Sequence, residues 1–274
     1  MNSDLLVKET KEFFECYNDI EFLNNENVST VFISGSLLEG FGNENSDIDI
    51  FVILKNSHFL KEFINRVKKN ELINIIERRN KTIITATYEE RNFDIEILES
   101  GYITEYIQQV NVLNAYAADE RYDLLHRMKY GKVIYNEENF YKIFESINQN
   151  KFRRIHTQTL NTYYAVKMHD IHGAFKEKEF VTGYFMGIDL LNLCIDAYLS
   201  IRGETNPSSK WRLKKINRYD MNKKHNDLDI KDFIYDVYKG LDLRNDLIMK
   251  KKLKNVITLC QKINTEIEVH NYDL

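Results

Sequence analysis

The chain has 274 residues but a single proline, Pro207, and only ten glycines. Its loops must therefore be punctuated mainly by glycine and asparagine. Cysteine is also scarce. Cys16, Cys194 and Cys260 are scattered without ligand-like spacing, and their odd number argues against a disulfide framework. A reducing cytoplasm is the expected compartment. The start, Met1-Asn2-Ser3-Asp4, has no basic segment, so no secretory leader is expected. No uninterrupted apolar run reaches the ~18 residues of a membrane span, so no membrane partner is expected either. Internal repeats and low-complexity segments are missing too.

What is present is ordinary for a globular protein. Hydrophobic residues make up 43% and charged residues 29%, which leaves room for one large domain or two smaller ones. The net charge of −4 hides an asymmetry. Residues 1–118 carry 11 basic and 20 acidic side chains, and the remaining 27 basic and 22 acidic ones lie beyond. An acidic first part suits cation binding, and a basic second part suits phosphates, although chance surface composition gives the same numbers.

Periodicity divides the chain in the same way. Residues 5–23 read as an amphipathic helix, with Leu6, Phe13, Phe14, Tyr17 and Ile20 near helical spacing. Strands are predicted over 28–34 and 47–54, and then a helix capped by Ser57 and running to about Lys69. Three strand-like segments follow at 72–77, 82–88 and 93–98, joined by turns at Arg79-Asn80-Lys81 and Glu89-Glu90-Arg91-Asn92. From Gly101 onward the pattern is helical, broken at Gly131 and at Asn206-Pro207. Residues 180–201 are the most apolar helix and the expected centre of a bundle. The expected fold class is α+β, a mixed sheet with helices on one face over residues 1–115, followed by an all-α bundle over 116–274.

The chemistry concentrates in Val31–Leu54, VFISGSLLEGFGNENSDIDIFVIL. Side chains alternate along a strand, so Asp47 and Asp49 project to one face while Ile48 and Ile50 enter the core. Two neighbouring carboxylates repel by about 4 kcal/mol at ~4 Å in a medium of effective dielectric ~20. A hard divalent cation relieves that repulsion. Downstream, Asp94 and Glu96 alternate with Phe93, Ile95 and Ile97, so both project to one face. A solvated strand edge would show the same alternation. Gly35 lets the backbone approach a phosphate without a Cβ in the way, and a helix beginning after it, over Ser36–Gly40, would offer free amides. The Ser36 hydroxyl can add a hydrogen bond. Ser46 either orients Asp47 or serves as a turn residue.

Gly-Ser, a spacer of about ten residues and Asp-x-Asp between apolar neighbours resemble the signature of the nucleotidyltransferase superfamily that includes DNA polymerase beta. The resemblance rests on Gly35, Ser36, Asp47 and Asp49 and covers about the first 100 residues. It implies a catalytic set of Asp47, Asp49 and Asp94, with Glu96 in reserve. It also implies two Mg²⁺ ions on Asp47, Asp49 and Asp94, and an NTP, taken as ATP, held by Gly35, Ser36 and Ser46. A Lys-Trp pair at a helix start, Lys210-Trp211, resembles stand-alone members in which basic residues reach the triphosphate; a solvated basic helix face explains residues 202–224 equally well.

The reaction implied is transfer of a nucleoside monophosphate to an acceptor hydroxyl, with a small aminoglycoside-type molecule as the expected acceptor. Alternatives are a toxin that modifies tRNA or protein and a non-catalytic nucleotide-binding regulator. Nucleic acid is permitted but not demanded, and a homodimer is compatible with the sequence. Arg121 and His126 fit the Arg-x4-His spacing of a helical ribonuclease family, and His169 and His172 fit a helical metal pair. Both spacings arise easily on charged helices.

Overall fold

The computed structural model describes residues 3–16, 25–56, 59–61, 64, 73–78, 80–205, 209–222, 228 and 230–272. The end of the first helix beyond residue 16, the Ser57 cap, most of the helix running to Lys69, Leu72, Arg79 and the Asn206-Pro207 breaker lie outside them. The chain forms two compact units, one of residues 1–115 with 119–148 and one of 116–118 with 149–274.

The first unit is built on a six-stranded mixed sheet. Its strands are β1 (Val28–Ser34), β2 (Ile48–Leu54), β3 (Ile73–Glu77), β4 (Lys81–Tyr88), β5 (Arg91–Glu99) and β6 (Lys132–Tyr135). Their spatial order is β3-β4-β5-β2-β1-β6. Only β2 and β5 pair in parallel; the other four pairings are antiparallel. β1 is buried along its whole length and β2 at every position except Asp49, as a strand covered on both faces requires.

Helix α1 (Ser3–Cys16) buries Leu6, Thr10, Phe13 and Phe14, one helical stripe. It covers the face made by Ile48, Ile50, Val52, Phe93, Ile95 and Ile97. The Phe13 ring stacks on Phe93 at 4.3 Å. The opposite face is covered as well. There Phe32 stacks on Phe51 at 5.0 Å and meets Phe140 at 5.1 Å. Phe140 belongs to α4 (Glu137–Glu145), and α2 (Ser100–Asn111) and α3 (Glu120–Lys129) complete the unit. Helices thus lie on two faces of the sheet, where the sequence pattern suggests one.

The helical reading from Gly101 onward fails at β6. Lys132–Tyr135 pairs antiparallel with β1 at the sheet edge. Four residues between helices are too short to impose a period of two on the surrounding pattern.

The second unit is helical: α5 (Gln149–Arg153), α6 (Ile155–Lys176), α7 (Phe180–Ile201), α8 (Arg212–Asn222), α9 (Ile230–Tyr238) and α10 (Asp246–Tyr272). α7 is the central element. A Cβ on its Gly183 or Gly187 would come within 2.8 Å of Leu253 or Val256 on α10, so both glycines permit close helix packing. α7 is long and apolar enough by composition to cross a membrane, yet 61% of its most apolar window is buried among the other helices. Its Asp196 forms a double ion pair with Arg212, at 2.7 and 2.9 Å.

The stacked Phe13 gives a direct check on the sheet unit. Phe13→Ala should reduce the hydrogen-exchange protection of β2 and β5 amides by about 3–5 kcal/mol. Val112→Ala, at a side chain 71% exposed, should leave it within about 0.5 kcal/mol.

Candidate active site

The site is assembled where β1 ends and β2 begins. β1 closes on Ser34, and Gly35 follows with φ +97°, a region that L side chains avoid. Space is the stronger constraint. A Cβ on Gly35 would lie 1.8 Å from Asp49 Oδ2. Glycine is therefore needed for the Asp49 carboxylate to rest against the loop. The Gly35 carbonyl accepts from Glu39 N at 3.0 Å, and the Ser36 carbonyl accepts from Phe41 N and Gly42 N, both at 2.8 Å. Residues 36–40 are a run of turns rather than the expected start of a short helix; a single i+4 backbone bond is accompanied by bonds that fold the chain back on Ser36.

The parallel pairing of β2 with β5 brings the acidic residues together. Asp49 is in register with Asp94 and Phe51 with Glu96. The apolar partners Ile48, Ile50, Phe93, Ile95 and Ile97 are buried beneath α1, which turns Asp49, Asp94 and Glu96 to the other face. Burial pushes Asp49 up from 3.8 to about 6; Arg127 opposes this, and Asp94 and Glu96 add to it. Asp94 is raised by burial first, then by Asp47 and Glu96, against Arg127. Asp47, in the turn just before β2, thus joins the same electrostatic cluster. Glu96 is engaged elsewhere: Lys81 Nζ bridges Glu96 Oε2 at 3.1 Å and Glu120 Oε2 at 3.2 Å.

Sequence reasoning missed Arg127, on α3. Its Nε donates to Asp123 Oδ2 at 2.6 Å, and its Nη1 lies 3.2 Å from Asp49 Oδ2. That nitrogen is buried and poorly angled for a hydrogen bond, so its attraction to Asp49 is mainly one of charge. The guanidinium carbon sits 5.4 Å from the Phe51 ring centre. Burial would lower the Arg127 pKa, but Asp123 and Asp49 outweigh it and the net direction is upward. The Asp123/Arg127 spacing of four on a helix was the one available signal, and it reads as an ordinary surface pair.

α3 also holds the loop. Ser34 Oγ donates to the Arg127 carbonyl at 2.7 Å. The fully buried His126 places Nε2 2.9 Å from Glu39 Oε1. The Arg-x4-His spacing is thereby divided between two structural tasks. Arg121 makes paired hydrogen bonds to Asp119 at 2.9 and 2.7 Å and covers the Tyr102 ring at 4.3 Å.

Ser46 Oγ accepts from Asn43 N at 2.9 Å and meets Asn43 Oδ1 at 3.3 Å, so its hydroxyl ties the 43–46 turn. Lys210 is exposed in the helical unit, with Nζ 4.7 Å over the Trp211 ring, which Lys214 also faces at 4.7 Å. His169 and His172 are exposed on α6.

The donor set suits a hard divalent cation: Asp47, Asp49 and Asp94 offer carboxylate oxygens, and burial with like-charged neighbours raises Asp49 and Asp94. As they stand, no three His, Cys, Asp or Glu side chains among the described residues close around a single point. Asp49 is turned instead toward Arg127.

A carboxyl with a raised folded pKa takes up its proton more readily in the folded than in the unfolded chain. Its contribution to stability is present below the ordinary value of 3.8 and is lost as pH rises through about 6. Ionised Asp49 therefore costs the folded state up to about 3 kcal/mol at pH 8. Without divalent cation, Asp49→Asn should melt above wild type at pH 8 in scanning calorimetry, and the gap should close by about pH 4.

Residues 18–104 match the family model for the polymerase beta nucleotidyltransferase domain. No curated protein matches the chain. Among solved structures, a nucleotidyltransferase-like protein from Exiguobacterium sibiricum 255-15 is 8% identical, with a TM-score of 0.47, over 95% of this chain and 75% of that one. Spectinomycin adenyltransferase AAD(9) from Enterococcus faecialis, solved with ATP and spectinomycin, is 12% identical, with a TM-score of 0.40, over 95% of this chain and 100% of that one. Both are too distant to bear on substrate. The mixed sheet and the Gly35-Ser36 turn lie within the matched stretch, so through residues 18–104 the chain is similar to the polymerase beta-type nucleotidyltransferase domain.

Proposed function

We propose that the protein is a Mg²⁺-dependent nucleotidyltransferase that moves a nucleoside monophosphate from an NTP, ATP in the first instance, to an acceptor hydroxyl. The observation that carries this reading is the register of Asp49 with Asp94 on parallel strands, beside a glycine that no other residue could replace without striking Asp49. Asp47, Asp49 and Asp94 would hold the metal. Two bound Mg²⁺ ions would supply charge neutralisation on the phosphates and lower the pKa of the acceptor hydroxyl.

The chain's own residues supply position and charge. Gly35 keeps the loop surface bare at its closest approach to Asp49, and the Ser36 hydroxyl offers a donor to a phosphate oxygen. Asp94, raised by burial and by its acidic neighbours, would either help hold the metal or take the proton of the attacking hydroxyl. Glu96 holds Lys81 and sets the charge around Asp94.

A sheet unit of this size followed by a helical unit suits a stand-alone enzyme acting on a small aminoglycoside-type acceptor. A non-catalytic, nucleotide-binding regulator is the second reading, and the Arg127–Asp49 ion pair is the observation that favours it.

Incubation with α-labelled NTPs, Mg²⁺ and acceptor pools of aminoglycosides, tRNA and protein, read by mass spectrometry for an added monophosphate, tests the proposal. Transfer to a small-molecule acceptor is expected, with Asp49→Asn and Asp94→Asn each slower by at least about a hundredfold. Transfer to tRNA or protein would keep the chemistry and replace the acceptor. Nucleotide binding without turnover in any pool would overturn the enzyme reading.

A further inference from the structure

The geometry points to Arg127 as a resident counter-ion of Asp49 that competes with the divalent cation and must be displaced when the cation binds. The inference rests on the proposal that Asp49 is a metal ligand.

Three observations carry it. First, Arg127 Nη1 faces Asp49 Oδ2 at 3.2 Å, and a Cβ on Gly35 would lie 1.8 Å from that same oxygen and 3.2 Å from Nη1. Guanidinium, carboxylate and loop thus crowd one small space. Second, the contact with Asp49 is the longer of the two that Arg127 makes. Nη1 makes no well-formed hydrogen bond, whereas Nε is anchored to Asp123 at 2.6 Å. Asp123 lies one turn back on the same helix and is 40% exposed, so Arg127 can keep that anchor while leaving Asp49. Third, the acidic side chains are gathered in one cluster but do not converge on a single point. A carboxylate turned toward a guanidinium accounts for that. Binding then exchanges one cation for another, and the measured affinity is the difference between the two.

Displacement would be felt beyond Asp49. The Arg127 carbonyl accepts from Ser34, and the adjacent His126 meets Glu39, so the loop is tied to the helix that carries Arg127 just before its start and within it.

Mn²⁺ binding, read from the loss of the free-ion electron paramagnetic resonance signal, is the test. It is done without nucleotide and at pH 8.5, where proton competition for Asp49 is small. Arg127→Met should bind Mn²⁺ about tenfold tighter than wild type, the worth of one partly buried ion pair. Arg127→Lys, which cannot span Asp123 and Asp49 together, should fall between. Should Arg127→Met fold poorly, the wild type itself reports: the Arg127 Nε–Hε resonance should shift with Mg²⁺ and saturate with the binding curve. Equal Mn²⁺ affinity in wild type and Arg127→Met, with weaker binding in Asp49→Asn, overturns the inference and leaves the metal site standing. A static Arg127 resonance at saturating Mg²⁺ does the same. No Mn²⁺ binding by any of the proteins overturns the metal site as well.

Discussion

The site depends on the parallel pairing of β2 with β5. That pairing is driven by burial: Ile48, Ile50 and Val52 meet Phe93, Ile95 and Ile97 under α1, all almost fully enclosed. Because side chains alternate, the same register brings Asp49 beside Asp94 on the opposite face. The apolar face is the stabilising partner and the acidic face carries the electrostatic cost. Slipping either strand by one residue would relieve the repulsion but would also turn three large apolar side chains into the acidic face. At about 1.5–3 kcal/mol for each large apolar side chain, burial prevails.

The cost is visible in the raised Asp49 and Asp94, and the protein offsets it with cations of its own. Arg127 answers Asp49, and Lys81 answers Glu96 and Glu120. These two cations differ in their bonding. Lys81 is held in ion pairs to two carboxylates, Glu96 and Glu120. Arg127 has its short bond to Asp123 and a longer, mainly electrostatic contact with Asp49. α3 is the structural partner of the loop as well as the source of Arg127, through Ser34 and the His126–Glu39 pair.

Much of this arrangement was legible in the chain because it follows from alternation. Asp94 and Glu96 interleaved with Phe93, Ile95 and Ile97 could only present one acidic face, and Gly35 at the end of an apolar strand marked a place where backbone must be bare. The engagement of Glu96 was not legible, since Lys81 reaches it across the antiparallel β4–β5 pair. Arg127 was hidden for a similar reason. Nothing local separates it from a surface arginine paired four residues back, and only the return of α3, β6 and α4 to the sheet gives it a partner 78 positions earlier. The short β6 concealed that return. The helical unit follows the apolar periodicity of α7, but its Asp196–Arg212 pair is again a long-range contact that no local pattern announces.

The central claim is that the carboxylates on β2 and β5 form a cation site serving a nucleotide. Crystals grown with Mn²⁺ and a non-hydrolysable NTP test it most directly, through the anomalous signal of the metal. The account places an anomalous peak about 2.0–2.3 Å from carboxylate oxygens of Asp49 and Asp94, with the triphosphate against Gly35 and Ser36. A nucleotide bound with no metal at those carboxylates, Arg127 still resting on Asp49, would contradict it.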